Sequence, residues 1–460
     1  MVLQHAREMT EAYAEEQGMA AGAGDAKDCV LTVPSFATIH ERRALLDAAT
    51  LAQYNVLGLL EENTAAALHF AMDKLLDEPK KYLFYNMGGS AVQVSIVNIY
   101  SYNVTKTKKV GALEVLSKAW DSTIGGQAFD HVIVEYLADQ FNTQWDKKRN
   151  DGQQKDVREI PRALTKLRIQ ANKVKHVLSA NTEIPIYMES LHDDTPLNTH
   201  LTRAHFEEMS TDLIHRAIIP IRTALEKVNM TLDDIDEIEM IGGGMRIPRI
   251  QTLMSKELND KELGLHINAD ESMALGAAFH GANLSTAFRV RHVGLLDVNP
   301  FPIAISLCDL DSEKKGLFGG KKKKKKDDDE EEWSKHATIF KAFGKFGVKK
   351  TIAFTHDKEV HCALDYEEDC DQLPKGTGYV IGRRLKNLVR FFLLFVSLFF
   401  LVLHFLFFQN YLPVFIPTVL RLNDTISPAL KPLPRKWKRK SSANPRFPCS
   451  LSSRKVALQN

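Results

Sequence analysis

The chain has 460 residues, with 60 basic and 58 acidic side chains and a formal net charge of +2. That length exceeds what one hydrophobic core organises, so two or three domains are expected. The near balance of charge leaves no whole-chain attraction for nucleic acid or an anionic surface, and any electrostatic argument has to be local.

The N-terminus, Met1-Val2-Leu3-Gln4-His5-Ala6-Arg7-Glu8, has neither the basic nor the apolar stretch of a secretory leader. Residues 1–17 pattern as a polar helix, broken by glycine and alanine at 18–24. A buried strand is expected at 29–33, then a helix at 41–53 with Leu45, Leu46, Ala49 and Ala52 at helical spacing, and a strand of central-sheet character at 56–60. Residues 82–85 and 91–100 read as a hairpin closed by Asn86-Met87-Gly88-Gly89-Ser90. A further strand leads into Asp121-Ser122-Thr123-Ile124-Gly125-Gly126, with a helix from about Ala128. Over 162–179 an amphipathic helix sets Leu164, Leu167, Ala171, Val174 and Leu178 in one stripe. A strand at 235–241 and a helix opened by Pro248 follow. The fold class is α/β.

Composition changes after about His292. The lysines at 321–326 followed by acidic residues at 327–332 self-solvate and read as a surface loop. Strands expected at 302–307 and 351–354 on either side of it suggest a second, β-rich module. Residues 391–408 are nearly all Phe, Leu and Val, interrupted by Ser397 and His404 and preceded by Arg383, Arg384, Lys386 and Arg390. Two readings stand: a membrane span with its basic flank on the cytoplasmic side, or a mispredicted or read-through extension beyond about residue 380. The irregular, basic, Pro/Ser-rich tail favours the second. The five cysteines, Cys29, Cys308, Cys362, Cys370 and Cys449, lack the spacing of zinc or dithiol motifs, and no metal is assigned. Cys362 and Cys370 are either a disulfide or two thiols, since spacing alone does not fix connectivity.

Phosphate binding needs backbone N–H groups turned inward with no side chain in the way, and Gly88-Gly89 and Gly125-Gly126 follow strands where such turns belong. Most Gly-Gly pairs merely connect strands, so neither is diagnostic alone. Gly242-Gly243-Gly244-Met245-Arg246-Ile247-Pro248 follows an apolar strand and opens a helix. Its glycines let backbone approach a ribose or base, and Arg246 is suited to stacking on an aromatic ring; the plain alternative is a structural turn. Asn172, Lys175, His176 and Ser179 share one helix face, fit for a ribose and base or simply for solvent.

Together these stretches resemble the nucleotide-binding domain of the seventy-kilodalton heat-shock chaperone superfamily, whose two-lobed, actin-like (ribonuclease H-like) fold is shared with actin and sugar kinases. The likeness rests on Val33-Pro34 followed by Glu41-Arg42-Arg43, on Asn55-Val56-Leu57 with Glu62-Asn63-Thr64-Ala65-Ala66-Ala67, and on Gly125-Gly126 with Phe129-Asp130. Leu178-Ser179, residues 241–248, Asn268-Ala269-Asp270-Glu271 and Gly276-Ala277-Ala278 complete it. Phe84-Tyr85-Asn86-Met87-Gly88, Leu178-Ser179-Ala180-Asn181, Glu189-Ser190-Leu191-His192-Asp193-Asp194 and Asn283-Leu284-Ser285 are similar to the large lumenal, 170-kilodalton glucose-regulated or hypoxia up-regulated branch. The resemblance implies an ATP/ADP site using Gly88, Gly89, Gly125 and Gly126 for phosphate and Lys175, Ser179, Gly242, Gly243, Gly244, Arg246, Ile247 and Asp270 for adenosine. Glu62 matches a glutamate beside the catalytic centre.

Domain limits follow: the second half of lobe I at 1–77, lobe II at 78–292, the start of a β substrate-binding domain at 293–380 with a charged loop at 319–333, and a divergent tail at 381–460. The first lobe is expected to be incomplete, because the family's N-terminal glycine-rich hairpin and its catalytic lysine have no counterpart before Val33-Pro34. Asn86 and Val92 stand where the ATPases place an aspartate and a threonine, which makes Mg2+ binding doubtful. Asn172 and His176 replace a glutamate and an arginine, and Asn63 replaces a proline of the conformational switch, a change the large lumenal branch tolerates.

The implied function is an endoplasmic-reticulum chaperone that holds unfolded polypeptides and exchanges nucleotide on a smaller lumenal relative. The alternative is a non-hydrolysing module that binds a partner chaperone. A sugar kinase would need a catalytic aspartate in lobe I for which there is no candidate, and a membrane-anchored form depends on 391–408. The sequons at Asn103, Asn229, Asn283 and Asn423 matter only if the chain enters the secretory pathway.

Overall fold

A computed structural model describes residues 1–18, 27–105, 109–148, 156–264, 266–285, 289–309, 334–353, 360–367, 373, 380–383 and 393–395. The charged run at 319–333, most of 391–408, the tail beyond it and Cys370 fall outside these residues.

The chain opens with α1 (Val2–Glu16), then β1 (Asp28–Val33), α2 (Ile39–Leu51), β2 (Asn55–Glu61) and α3 (Glu62–Ala71). β1 and β2 run parallel, with Val33 opposite Glu61, so α2 serves as the crossover that parallel strands require. Thr38 starts α2 in a capping box: Glu41 N–H donates to Thr38 Oγ1, and Thr38 N–H donates to Glu41 Oε2 at 2.7 Å. β2, expected as a central strand, has β1 as its one partner among the described residues.

The main sheet begins with β3 (Lys80–Met87), β4 (Val92–Asn103) and β5 (Lys109–Asp121), an antiparallel meander. Two helices follow, α4 (Gly126–Lys148) and α5 (Pro161–Ala180), then the hairpin β6 (Glu183–His192) and β7 (Thr195–Thr202). Short helices α6 (Arg203–Met209), α7 (Thr211–Arg216) and α8 (Ile219–Glu226) lead to β8 (Glu237–Ile241), α9 (Pro248–Glu257), β9 (Leu263–Gly264), α10 (Ser272–Leu284) and β10 (Val293–Leu296). The six strands lie in the order β10-β5-β4-β3-β8-β9, with β8 parallel to β3 and β10 parallel to β5. α4 starts two residues earlier than expected, at Gly126, and β8 two later, because residues 232–234 form a 3-10 turn.

Residues 82–85 alternate between two cores. Leu83 and Tyr85 face α4 and α5 with Phe129, Ile133, Phe141, Trp145, Leu167, Ala171, Val174 and Leu178. Tyr82 and Phe84 face Ala66, Ala67 and Phe70 of α3. Both faces being covered explains the continuous apolar run. α3 is narrow enough to sit there because Ala65, Ala66 and Ala67 are fully buried, and Gly276 of α10 lies so close that a Cβ would fall 1.9 Å from Ala65 O.

A four-stranded antiparallel sheet follows, from β11 (Ile303–Asp309), β12 (Ser334–Phe340), β14 (Val360–Tyr366) and β15 (Val380–Arg383) in the order β12-β11-β14-β15, while β13 (Thr351–Ala353) pairs with β16 (Leu393–Phe395). Ile39 N–H donates to Tyr366 Oη at 2.8 Å, tying this sheet to α2. The described residues of the apolar segment, 393–395, form a short strand, and no helix among the described residues is long and apolar enough to cross a membrane. Cys362 is a free thiol whose pKa burial raises to about 11.

Candidate functional site

β3 and β8 are parallel neighbours, so their C-terminal ends, Met87 and Ile241, finish side by side, the position where α/β sheets place ligands. The turn after β3 closes with Gly88 N–H donating to Ala91 O at 3.0 Å. The turn after β5 docks on it: Gly126 N–H donates to Gly88 O at 3.0 Å and Gln127 N–H to Gly89 O at 2.7 Å. A Cβ on Gly125 would lie 2.6 Å from backbone atoms of Gly89 and Ala91. The turn after β8 closes from the other side, where Gly242 has φ +86° and a Cβ would lie 2.4 Å from Met87 O; on Gly244 it would lie 2.5 Å from Met87 Cγ. Three glycine turns from distant parts of the chain therefore converge.

Their glycines play unequal parts. Gly125, Gly242 and Gly244 are required by backbone packing against the neighbouring turn, whereas Gly89 and Gly243 face open space within 4 Å of where a Cβ would point. Those two leave room for a ligand.

Beside Gly126 a small, open crevice is lined by Lys175, Leu178, Ser179, Arg203, Phe206, Glu207, Ile247 and Pro248. Lys175, Ser179 and Ile247 are thus brought together as expected. Lys175 Nζ donates to Gly126 O at 2.9 Å and pairs with Asp130 at 2.8 Å, so α5 is fastened to the second glycine turn. Asn172 donates to the same Asp130 at 3.1 Å. Ser179 Oγ donates to His176 O at 2.6 Å, and Arg203 Nε caps the end of α5 on Leu178 O at 2.8 Å. Arg246 and Asp270 pair with each other at 3.0 Å, both mostly exposed and outside the crevice lining. His176 and Arg246 therefore do not complete the crevice.

Glu62 opens α3 on the other side of the first turn. Gln93 Nε2 donates to Glu62 Oε2 at 2.6 Å, and Ser35 N–H donates to Gln93 Oε1 at 2.7 Å. Asn63 Nδ2 donates to Gln93 O at 3.2 Å, and Asn86 Nδ2 donates to Asn63 Oδ1 at 3.0 Å. Asn86 Oδ1 is buried with no hydrogen-bond partner. Burial raises the Glu62 pKa, the charge of Glu61 adds to this, and the bond from Gln93 works against it. Among the described residues no group of three or more His, Cys, Asp or Glu side chains is placed to hold a metal ion.

A second polar cluster was not legible beforehand. Lys118, fully buried in β5, pairs with Glu61 at 2.6 Å and Asp297 at 2.5 Å, while Arg42 reaches the other Glu61 oxygen at 2.9 Å. Thr64 Oγ1 donates to Asp297 at 3.1 Å. Burial alone would raise the Glu61 pKa, but Lys118 and Arg42 outweigh it and hold the carboxyl low. At Lys118 burial works against the charge, but Asp297 and Glu61 outweigh it and hold the ammonium charged. The cluster joins α2, β2, α3, β5 and the segment between β10 and β11. A lysine inside the apolar run of β5 was its one sequence signal.

Three glycine turns at the ends of parallel strands, with a polar helix face fastened to one of them, define an α/β nucleotide-binding domain of the actin-like kind. The family pattern described as "Hsp70 protein" matches residues 1–315. Heat shock 70 kDa protein 17 of Arabidopsis thaliana is 34% identical over 356 residues, covering 76% of this chain and 38% of that protein. Hypoxia up-regulated protein 1 of Homo sapiens is 35% identical over 370 residues, covering 78% and 34%, and its Xenopus tropicalis counterpart is 37% identical over 311 residues, covering 66% and 46%. The chain belongs to the Hsp70 family, and it spans less than half the length of these relatives.

Proposed function

We propose that the chain serves as an ATP/ADP-binding chaperone of the endoplasmic-reticulum stress response, with a domain boundary near residue 77, another near 292 and a β module for unfolded polypeptides beyond it. The convergence of the three glycine turns beside the Lys175–Ser179–Ile247 crevice carries this reading. Gly89 and Gly243 offer open backbone for phosphate and ribose, and the crevice offers an apolar wall from Leu178, Phe206 and Ile247 with polar groups at its rim. Bound nucleotide would add a bridge between turns that already pack closely against one another. Similarity to hypoxia up-regulated protein 1 supports the lumenal setting and a smaller lumenal chaperone as partner.

A second reading, binding without hydrolysis, is favoured by Asn86. Mg2+ calls for several hard oxygen donors, best anionic. Asn86 Nδ2 is bound to Asn63 Oδ1, Asn63 Nδ2 to the backbone carbonyl of Gln93, and the Gln93 side chain to Ser35 and Glu62, while the buried Asn86 oxygen left without a partner is neutral. Glu62, the carboxylate of this network, is already held by Gln93, and the donor set does not fit the metal. Exchange of nucleotide on a partner would then be the activity. Titration of the purified chain with a fluorescent ADP analogue tests binding, and release of phosphate from ATP tests turnover. Saturable binding without turnover supports the second reading; turnover dismisses it; absence of binding dismisses both.

A further inference from the structure

We infer that Asn103 and Asn229 are N-glycan acceptors and that Asn283 is excluded by the fold; this rests on the lumenal reading above. Each begins an Asn-X-Ser/Thr sequon: Asn103-Val104-Thr105, Asn229-Met230-Thr231 and Asn283-Leu284-Ser285. The co-reactant is a polyisoprenyl-diphosphate-linked oligosaccharide. Asparagine Nδ2 bonds to the anomeric carbon, the anomeric carbon–oxygen bond breaks, the diphosphate leaves with that electron pair, and the amide proton passes to a base of the transferase. Sequence supplies the acceptor; the folded surface decides whether a bulky, hydrated glycan is tolerated.

The three sites differ in what surrounds them. Asn103 is the last residue of β4, and residues 102–105 are all exposed. It lies at the opposite end of β4 from Val92, roughly 36 Å from the glycine turns at ~3.3 Å per residue, so a glycan there leaves the crevice open. Asn229 is exposed in the turn after α8 with φ +51°, a left-handed conformation that asparagine tolerates. Two residues on, Thr231 is exposed and shares a capping box with Asp234, which fixes the turn without using the Asn229 side chain. Asn283 lies on α10, half-buried, with Nδ2 donating to Phe279 O at 3.1 Å. Its neighbour Leu284 is buried, and α10 is pressed on α3 through Gly276. A glycan there would break the bond and lift the helix.

The full chain is expressed in mammalian cells behind a cleavable secretory leader and, in parallel, with its own N-terminus, each as wild type and as N103Q, N229Q, N283Q and N423Q. The folded, monomeric fraction is run before and after a peptide amidase that removes N-glycans. With the leader, N103Q and N229Q each remove one mobility step and N283Q removes none. Failure of N103Q or N229Q to remove a step, or loss of a step in N283Q, overturns the inference. Protease protection of the chain with its own N-terminus reports its compartment separately, so a failure of the lumenal reading is distinguishable from a failure of the acceptor assignment.

Discussion

Asn86 donates its side-chain N–H to Asn63 Oδ1 at 3.0 Å, joining the end of β3 to the first turn of α3 through a buried amide pair. Both are positions at which the sequence departs from the ATPase pattern beside the first glycine turn. The departures are coupled: the Asn86 amide donates to the Asn63 oxygen, which a carboxylate at 86 would confront with a second acceptor.

Nucleotide affinity is therefore expected to be indifferent to Mg2+. Fluorescent-ADP titrations in Mg2+ and in EDTA should superimpose for the wild-type chain. Asn86→Asp loses the bond to Asn63 and buries a charge, costing about 1–3 kcal/mol in urea unfolding, and should make affinity respond to Mg2+. A wild-type affinity that drops several-fold in EDTA would refute the amide-pair account.

The glycines separate structural from binding roles. Gly242→Ala must adopt φ +86° with ψ 146°, a conformation nearly confined to glycine, at roughly 1–3 kcal/mol, and also meets Met87 O, so its unfolding midpoint should fall. Gly243→Ala meets nothing within 4 Å and should keep wild-type stability while binding nucleotide more weakly, since the methyl enters the space proposed for ribose. Thermal melts and titrations on the two variants check this; equal destabilisation of both would contradict it.

Local pattern carried much of this fold. The stripe from Leu167 to Leu178 is buried as the 3.6-residue period demands, and the alternation of residues 82–85 fits a sheet covered on both faces. The glycine turns were visible as glycines, but the reason for Gly125, Gly242 and Gly244 was not: it lies in contacts with Gly89 and Met87, which no local pattern encodes. Lys175 and Ser179 were visible on one helix face and Ile247 in the turn after β8, and the three line one crevice, whereas Arg246 turns to Asp270. Gln93, which links Ser35 to Glu62, and the Lys118 cluster escaped notice because their partners lie tens to nearly two hundred residues away. Propensity has no term for such pairs.

Lys118 supplies a strong test of that cluster. Lys118→Met leaves Glu61 and Asp297 buried without their shared cation and should cost about 3–5 kcal/mol, with aggregation if the fold is lost. Combining it with Glu61→Gln and Asp297→Asn removes the stranded charges and should recover part of the stability. Urea denaturation of the single and triple variants measures the difference; a triple variant no more stable than K118M would show that the stranded carboxylates are not the source of the loss.

His280 sets an acid limit on the same fold. It is buried on α10, and desolvation pushes its pKa down to about 4, against the ordinary value of 6.5. The folded chain thus holds fewer protons than the unfolded chain between these values. Stability from this group is complete above pH 6.5 and is lost as pH falls towards 4, in total about 3 kcal/mol by linkage. Replacing His280 with leucine, apolar and of comparable bulk, removes the group that must charge. Its urea midpoint should change less between pH 7 and pH 5 than that of the wild type. A variant whose midpoint falls as steeply as the wild type's would assign the acid sensitivity to other groups, the Glu61 carboxylate first among them, since its lowered pKa also makes its contribution disappear in acid.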